Sequence, residues 1–331
     1  MRYLILGAGA LGGYFGGMLL KGGADVTFLV RPARALQLKR DGLVIKMQDG
    51  REHRTRVKTV QQGELDGTYD VVLLTCKAYD LDSAMDAIAP AMGEQSVIVP
   101  VLNGVRHIGV LTERFGTGRV LGGLTAINAA MMADGTIQQS QLRVNLNVIG
   151  ELDGRASARC NAIKAALDAG GIPVQISDNI LAMMWAKFFG FVCNATIATL
   201  TRSRAGAIAT SASGASFVTA VIEECARVVT AAGYPPAPPP APDTVGITRG
   251  LFSQADSTYG PSILVDMEDG RPTEGEHTIG DMVGHAARGN VSAPILSAAL
   301  CNLQVYEINR NKPAIRSQGA YPSSPSDSIG R

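Results

Sequence analysis

The chain opens on a short apolar run, Arg2 to Leu6, followed at once by Gly7, Gly9 and Gly12 in the spacing G-x-G-x-x-G. A helical pattern continues through Gly13 to Lys21, and a second apolar run, Val26 to Val30, ends at Arg31. This order of strand, glycine turn, helix and strand narrows the fold more than any other feature of the sequence. Gly7 permits a tight turn out of the strand. Gly9 lets the backbone approach a pyrophosphate, and Gly12 lets the helix pack closely on the strand. The first N–H groups of the helix then face the phosphates from the positive end of its dipole. In a chain with 38 glycines the spacing could arise by chance. Its place between two strands is what makes it a dinucleotide-binding signature, with Gly7, Ala8, Gly9, Ala10, Leu11 and Gly12 as the cofactor-binding turn.

The residue at the end of the second strand selects the cofactor. An acidic residue there would bind the ribose 2′-hydroxyl of NAD. Arg31 stands there instead, with Arg34 one turn on. A planar, permanently charged fork suits a 2′-phosphate, so the expected cofactor is NADP(H).

Downstream, strand and helix patterns alternate. Asp70 to Thr75 reads as a buried strand ending at Cys76-Lys77, Leu81 to Met92 as a helix, and Ser96 to Leu102 as a strand ending at Asn103-Gly104. A helix over Val105 to Phe115 follows, then strands over Val120 to Ile127, Thr136 to Gln139 and Val144 to Gly150. A helix over Arg155 to Gly170 and a short strand, Pro173 to Ile176, close this half. The alternation predicts an α/β, doubly wound, mostly parallel sheet whose ligands bind beyond the carboxyl ends of its strands, the edge that carries Lys77 and Asn103. From Asp178 the patterns are helical only: Asn179 to Ala198, Ser213 to Ala232, Gly246 to Phe252, Thr273 to Arg288 and Ala293 to Ile308. Tyr234 to Pro242 is too proline-dense for helix and reads as a stiff connector, and the tail from Arg316 has the composition of a disordered end. With 331 residues, the chain divides into a Rossmann-type domain, 1–177, and an all-helical domain, 178–331, with the active site between them.

Lys+Arg number 30 and Asp+Glu 29, and no basic stretch is interleaved with aromatics, which argues against nucleic acid as a partner. No run of 18 apolar residues suggests a membrane span, and a strand starting at the second residue leaves no room for a signal peptide. The five cysteines are odd in number and far apart, as expected of free thiols in a reducing cytoplasm. No His/Cys cluster suggests a metal. The apolar C-terminal helices could bury a homodimer interface or simply the domain core.

Lys187 is the first candidate for chemistry, in Trp185-Ala-Lys-Phe-Phe-Gly-Phe-Val. A lysine among such neighbours either snorkels from its helix or sits in a cleft with a lowered pKa, able to protonate a ketone oxygen. Ser262 and Glu274 lie in a stretch with four acids, where a plain reading is a helix start with Thr273 as cap and Glu274 and Glu276 in the first turn. Asn103-Gly104 is a natural strand-end turn pair.

Together these motifs resemble the ketopantoate reductases (2-dehydropantoate 2-reductases). The resemblance rests on Gly7-Ala-Gly-Ala-Leu-Gly12, Arg31, Cys76-Lys77-Ala, Leu102-Asn103-Gly104, Asp178-Asn-Ile, Trp185-Ala-Lys187 and Ser262 through Glu274, and it spans nearly the whole chain to about residue 310. It implies NADPH-dependent reduction of a 2-keto acid, by default 2-dehydropantoate to D-pantoate. Lys187 would then be the general acid, and Asn103 would contact cofactor and substrate. Lys77 would lie near the nicotinamide, Ser262 would contact the substrate, and Glu274 would contact the nicotinamide ribose region. Family members of the well-studied type carry asparagines one and two turns after the lysine. Here those positions are Phe191 and Ala195, with Asn194 beside the latter as a potential substitute, offset by about 100° around the helix. Two rival readings follow: a reductase for a bulkier, more apolar keto acid, and an NADP(H)-binding sensor without turnover.

Overall fold

The computed structural model describes residues 1–140, 145–236 and 243–312. Most of the proline connector and the whole tail from Arg316 therefore lie outside the described residues. The elements of the first half, in order, are β1 (Arg2–Leu6), α1 (Ala10–Lys21), β2 (Asp25–Leu29), α2 (Pro32–Asp41), β3 (Leu43–Lys46), β4 (Glu52–Thr55), β5 (Lys58–Val60), β6 (Tyr69–Leu74), α3 (Leu81–Ile88), β7 (Met92–Pro100), α4 (Arg106–Phe115), β8 (Leu121–Ala126), β9 (Ala129–Met131), β10 (Ile137–Gln139), β11 (Leu146–Glu151), α5 (Ala158–Gly170) and β12 (Gln175–Ile176).

The central sheet has the order β5-β2-β1-β6-β7, and every pairing in it is parallel. A parallel bridge from Ile98 to Val120 leads on to β8, which pairs antiparallel with β11, and β12 lies parallel on β11. A third sheet, β4-β3-β10-β9, covers α1. The close approach needs glycines on that helix: a Cβ on Gly13 would press on Ile137, and one on Gly17 on Ile45. The expected mostly parallel sheet is therefore present, with α2 and the short strands β3, β4, β5 and β9 added to the predicted elements. The predicted helix over Leu81 to Met92 stops earlier, because Pro90 has no N–H to continue it, and Met92 already begins β7.

After Ile176 every described element is helical: α6 (Ile180–Thr201), α7 (Ala205–Thr210), α8 (Gly214–Ala231), α9 (Thr244–Leu251), α10 (Ser262–Glu268), α11 (Gly275–Arg288) and α12 (Pro294–Arg310). The spine is α6. It packs against α8, α9, α10, α11 and α12 and also against β8 and β11. Phe188, Phe189, Val192, Cys193 and Ala195 on it are at most 1% exposed. At about 1.5–3 kcal/mol for each large apolar side chain removed from water, this burial outweighs the β-branched and glycine residues that weaken the helix. By length and composition, α6 is apolar enough to cross a membrane, contrary to the expectation from runs of apolar residues, but 56% of its most apolar window is buried in the protein. One apolar cluster runs from Leu4 and Leu74 of the sheet through Ile180, Trp185 and Phe188 to Leu303 of α12. That shared core holds α6 against the carboxyl edge of the sheet.

Candidate active site

At the carboxyl edge, β1 gives way to the glycine turn. Gly7 has φ +88°, open only to a residue without a Cβ, and its N–H donates to the Leu29 carbonyl at 2.9 Å. A Cβ on Gly12 would collide with the Gly7 carbonyl and the Thr75 hydroxyl, whereas nothing lies within 4 Å of a Cβ built on Gly9. Gly9 caps α1 with no side-chain hydrogen bond. The N–H groups of the first turn, Ala10, Leu11 and Gly12, have no intrahelical partner and face that open space. Such a cradle fits a pyrophosphate.

At the end of β2, Arg31 caps α2. Its side chain is 82% exposed and its guanidinium lies 3.4 Å from Asp80. Arg34 is partly committed elsewhere: Nε donates to the Ala8 carbonyl at 3.0 Å, and Nη1 to Gln37 at 2.7 Å and to the Gly135 carbonyl at 3.1 Å, while Nη2 is buried without a hydrogen-bond partner. Arg31 is therefore the cation at this edge that a phosphate can reach.

Beyond β6 and β7 stand Lys77 and Asn103, and both turn toward Glu274. The Glu274 carboxylate is buried. It accepts from the Ala78 N–H at 3.0 Å, from Lys77 Nζ at 3.4 Å and from Asn103 Nδ2 at 3.4 Å. Glu274 precedes α11 but its side chain does not cap that helix, and Thr273 donates its N–H and hydroxyl to Glu307 instead. The plain helix-start reading holds in part, since Glu276 is in the first turn and the Thr273 hydroxyl accepts from the Gly275 N–H at 3.4 Å, but the Glu274 carboxylate points across the cleft. Lys77 also lies 3.4 Å from Asp266, which Arg271 holds at 2.9 Å. Burial lowers the pKa of Lys77, but Glu274 and Asp266 outweigh it and the net shift is upward.

Lys187, on α6, reaches into the same cluster, where Nζ donates to Asn103 Oδ1 at 3.2 Å. Snorkelling to bulk solvent is thereby excluded, and the ammonium sits in the cleft. Burial pushes its pKa down to about 8, and Glu274 partly opposes that shift. A relay of contacts thus runs from Lys187 through Asn103 to Glu274 and Lys77, joining residues far apart in the chain. A small cleft lined by Leu102, Leu124, Met184, Phe188 and Phe191 adjoins Lys187.

Two predicted residues lie outside this relay. Ser262 opens α10 and is exposed, one turn before Asp266 and so on the same side of its helix as the contact to Lys77. Asn194 donates to the Tyr259 hydroxyl at 3.1 Å. Burial raises the pKa of that tyrosine to about 12, with Asn194 acting the other way, so it stays protonated. Sequence reasoning passed over Asp266 and His107. Four acids crowd the stretch containing Asp266, and only its spacing from Ser262 marks it. His107 is buried on α4 and burial, reinforced by the Lys187 charge, pushes its pKa down to about 3. Its place beside the apolar positions Ile108 and Leu111 was the available signal. Among the described residues no group of His, Cys, Asp or Glu could hold a metal.

Two family models match in succession: ketopantoate reductase PanE/ApbA over residues 3–154, and the PanE/ApbA C-terminal part over residues 179–307. The chain belongs to the ketopantoate reductase family. It is accordingly an oxidoreductase acting on CH–OH groups with a nicotinamide cofactor. An uncharacterized oxidoreductase, YkpB, of Bacillus subtilis (strain 168) is 35% identical over 310 residues, covering 94% of this chain and 100% of the relative. A 2-dehydropantoate 2-reductase of Mesorhizobium japonicum is 27% identical, covering 83% of this chain and 88% of the relative. The ternary structure of D-mandelate dehydrogenase with NADH and anilino(oxo)acetate superposes with a TM-score of 0.81 at 20% identity, covering 94% of this chain and 100% of that one. That likeness supports the fold.

Proposed function

We propose that this ketopantoate reductase family member reduces a 2-keto acid to the 2-hydroxy acid with NADPH, and that 2-dehydropantoate is the reference substrate. The observation that carries the reading is the Lys187 ammonium, its pKa lowered to about 8, held 3.2 Å from Asn103 at the carboxyl edge of a parallel sheet. The cofactor, when bound, supplies the hydride. Lys187 hydrogen-bonds the ketone oxygen and gives it a proton as negative charge builds there. Asn103 holds the ammonium in place, and Glu274 fixes the Asn103 amide in turn. Lys77 offsets the charge of Glu274 and Asp266, so the cluster does not draw the proton of Lys187 back. The glycine cradle binds the pyrophosphate and Arg31 the 2′-phosphate, which favours NADPH over NADH. Ser262, exposed at the start of the helix whose Asp266 meets Lys77, would contact the substrate carboxylate. Free thiols at all five cysteines support a cytoplasmic setting.

The test is NADPH oxidation with 2-keto acids in wild type and Lys187→Ala. Loss of a general acid costs about 10²- to 10⁴-fold in turnover, with NADPH affinity unchanged. Near-normal turnover in the variant refutes the mechanism.

A further inference from the structure

We propose that the pocket beside Lys187 selects 2-keto acids whose side chain is purely hydrocarbon, and that Phe191 sets this choice. The inference rests on the reduction chemistry just described and adds the substrate class. Besides Lys187 and Asn103, the pocket is walled by Leu102, Leu124, Met184, Phe188 and Phe191, with Gly104 and Gly123 adding only backbone. Lys187 and Asn103 are hydrogen-bonded to each other, and in the reading above the Lys187 ammonium meets the ketone oxygen. A hydroxyl on the substrate side chain, directed away from Lys187, would therefore face a wall whose other side chains, Leu102, Leu124, Met184, Phe188 and Phe191, offer it no hydrogen bond. A buried hydroxyl without a partner is costly, whereas a methyl in the same place is not.

Phe191 lies one turn beyond Lys187 on α6 and so on the same side of the helix. Asn194, a further turn along that side, is the nearest polar residue on it. Its Nδ2 is spent on the Tyr259 hydroxyl, and its Oδ1 is buried without a hydrogen-bond partner. Asn194 does not line the pocket, and Phe191 lies between it and Lys187 along the helix. The side-chain subsite is apolar because of what occupies position 191, while the acid behind it stays unchanged.

Two substrates isolate the effect. 2-Dehydropantoate and 3,3-dimethyl-2-oxobutanoate share the carbon skeleton and differ by one hydroxyl oxygen. With saturating NADPH, the hydrocarbon keto acid should have the higher kcat/KM, by roughly 10- to 100-fold, the limit for an apolar pocket rejecting an added hydroxyl. Phe191→Asn should shrink that ratio at least about tenfold, the reach of one restored hydrogen bond, and Phe191→Leu, which keeps the wall apolar, should keep it. Preference of wild type for 2-dehydropantoate, or equal use of the two, overturns the proposal while leaving the reductase reading intact. So does an unchanged ratio in a folded Phe191→Asn protein. Should that variant not fold, the wild-type and Phe191→Leu ratios decide. NADPH binding without turnover of either keto acid overturns the reductase reading, and this proposal with it.

Discussion

The pKa of Lys187 is set by two opposed influences, and removing one of them gives a quantitative prediction. Burial drives the ammonium toward its neutral form, and the Glu274 carboxylate resists this. A single asparagine side chain separates them, through contacts of 3.2 Å and 3.4 Å. The two charges therefore lie on the order of 6–9 Å apart, which at an effective dielectric near 20 corresponds to roughly 2 kcal/mol. Water in the cleft reduces that figure, leaving about one pK unit at 1.36 kcal/mol per unit. Glu274→Gln keeps the shape and an acceptor for the Ala78 N–H but deletes the charge. A general acid must be protonated to act, so kcat/KM for keto acid reduction falls as pH rises through its pKa. In wild type that basic limb should lie near pH 8, the value to which burial brings Lys187. In Glu274→Gln it should move down by about one unit, so that kcat/KM drops roughly fivefold at pH 8 and little at pH 6. The assay is a pH profile of kcat/KM for the keto acid at saturating cofactor, which reads the enzyme before the keto acid binds and is insensitive to weakened cofactor binding. An unmoved limb, or one displaced upward, in a variant with wild-type Tm would refute the electrostatic coupling of the two residues.

Three further outcomes follow from the same geometry. Arg31→Ala should cut the preference for NADPH over NADH by roughly 10- to 100-fold in the ratio of kcat/KM, as expected for a charged hydrogen bond to phosphate; an unchanged ratio removes Arg31 from the cofactor site. Gly12→Ala forces a methyl against the Gly7 carbonyl and the Thr75 hydroxyl, so NADPH affinity in a fluorescence titration should fall at least about tenfold; retention of wild-type affinity would mean the turn does not hold the pyrophosphate. His107 is held neutral in the folded protein, its pKa pushed down to about 3, while in the unfolded chain it titrates near 6.5. Between those values the unfolded state binds more protons, so the contribution of neutral His107 is fully present above about pH 6.5 and declines as the pH falls, by up to about 1.4 kcal/mol per unit. His107→Leu should flatten this loss in urea melts between pH 6.5 and 4, and an unchanged slope would place the acid sensitivity elsewhere.

The parts of this fold that were legible in sequence are those written in local pattern. The glycine turn, the strands ending at Lys77 and Asn103, and the helices of the second half all carry their period and punctuation in consecutive residues. The short strands β3, β4, β5 and β9 do not. They have three or four residues each, and their pairing partners decide their state more than their own sequence does. The site divides the same way. Lys187 was open to two readings because the alternatives differ only in what stands opposite the helix, and Asn103 stands 84 residues away in the chain. Glu274 was hidden by its local plausibility. An acid at the start of a helix needs no other explanation until the Ala78 N–H, Lys77 and Asn103 are seen converging on it.

The burial that defines α6 as a core helix is also what makes its one cation useful. A lysine on an exposed helix would titrate near 10.4 and would hold its proton too firmly to be an efficient acid at neutral pH. Packed against β8 and α8–α12, the same side chain can be solvated only by Asn103 and the cleft, and its pKa falls toward the working range. Complete desolvation would carry it too far, to a neutral amine with no proton to give. Glu274 limits the fall, and Asn103 sets how strongly the limit is felt by fixing the spacing between the two charges. The remaining wall of the pocket, Phe188, Phe191 and Met184, enters this balance only by excluding water, because it carries no charge. Position 191 can therefore change the substrate while Lys187 keeps its hydrogen-bond partner and its opposing charge. On the proposed mechanism, a chain that keeps Lys187, Asn103 and Glu274 can change what it reduces by substitutions on one face of α6.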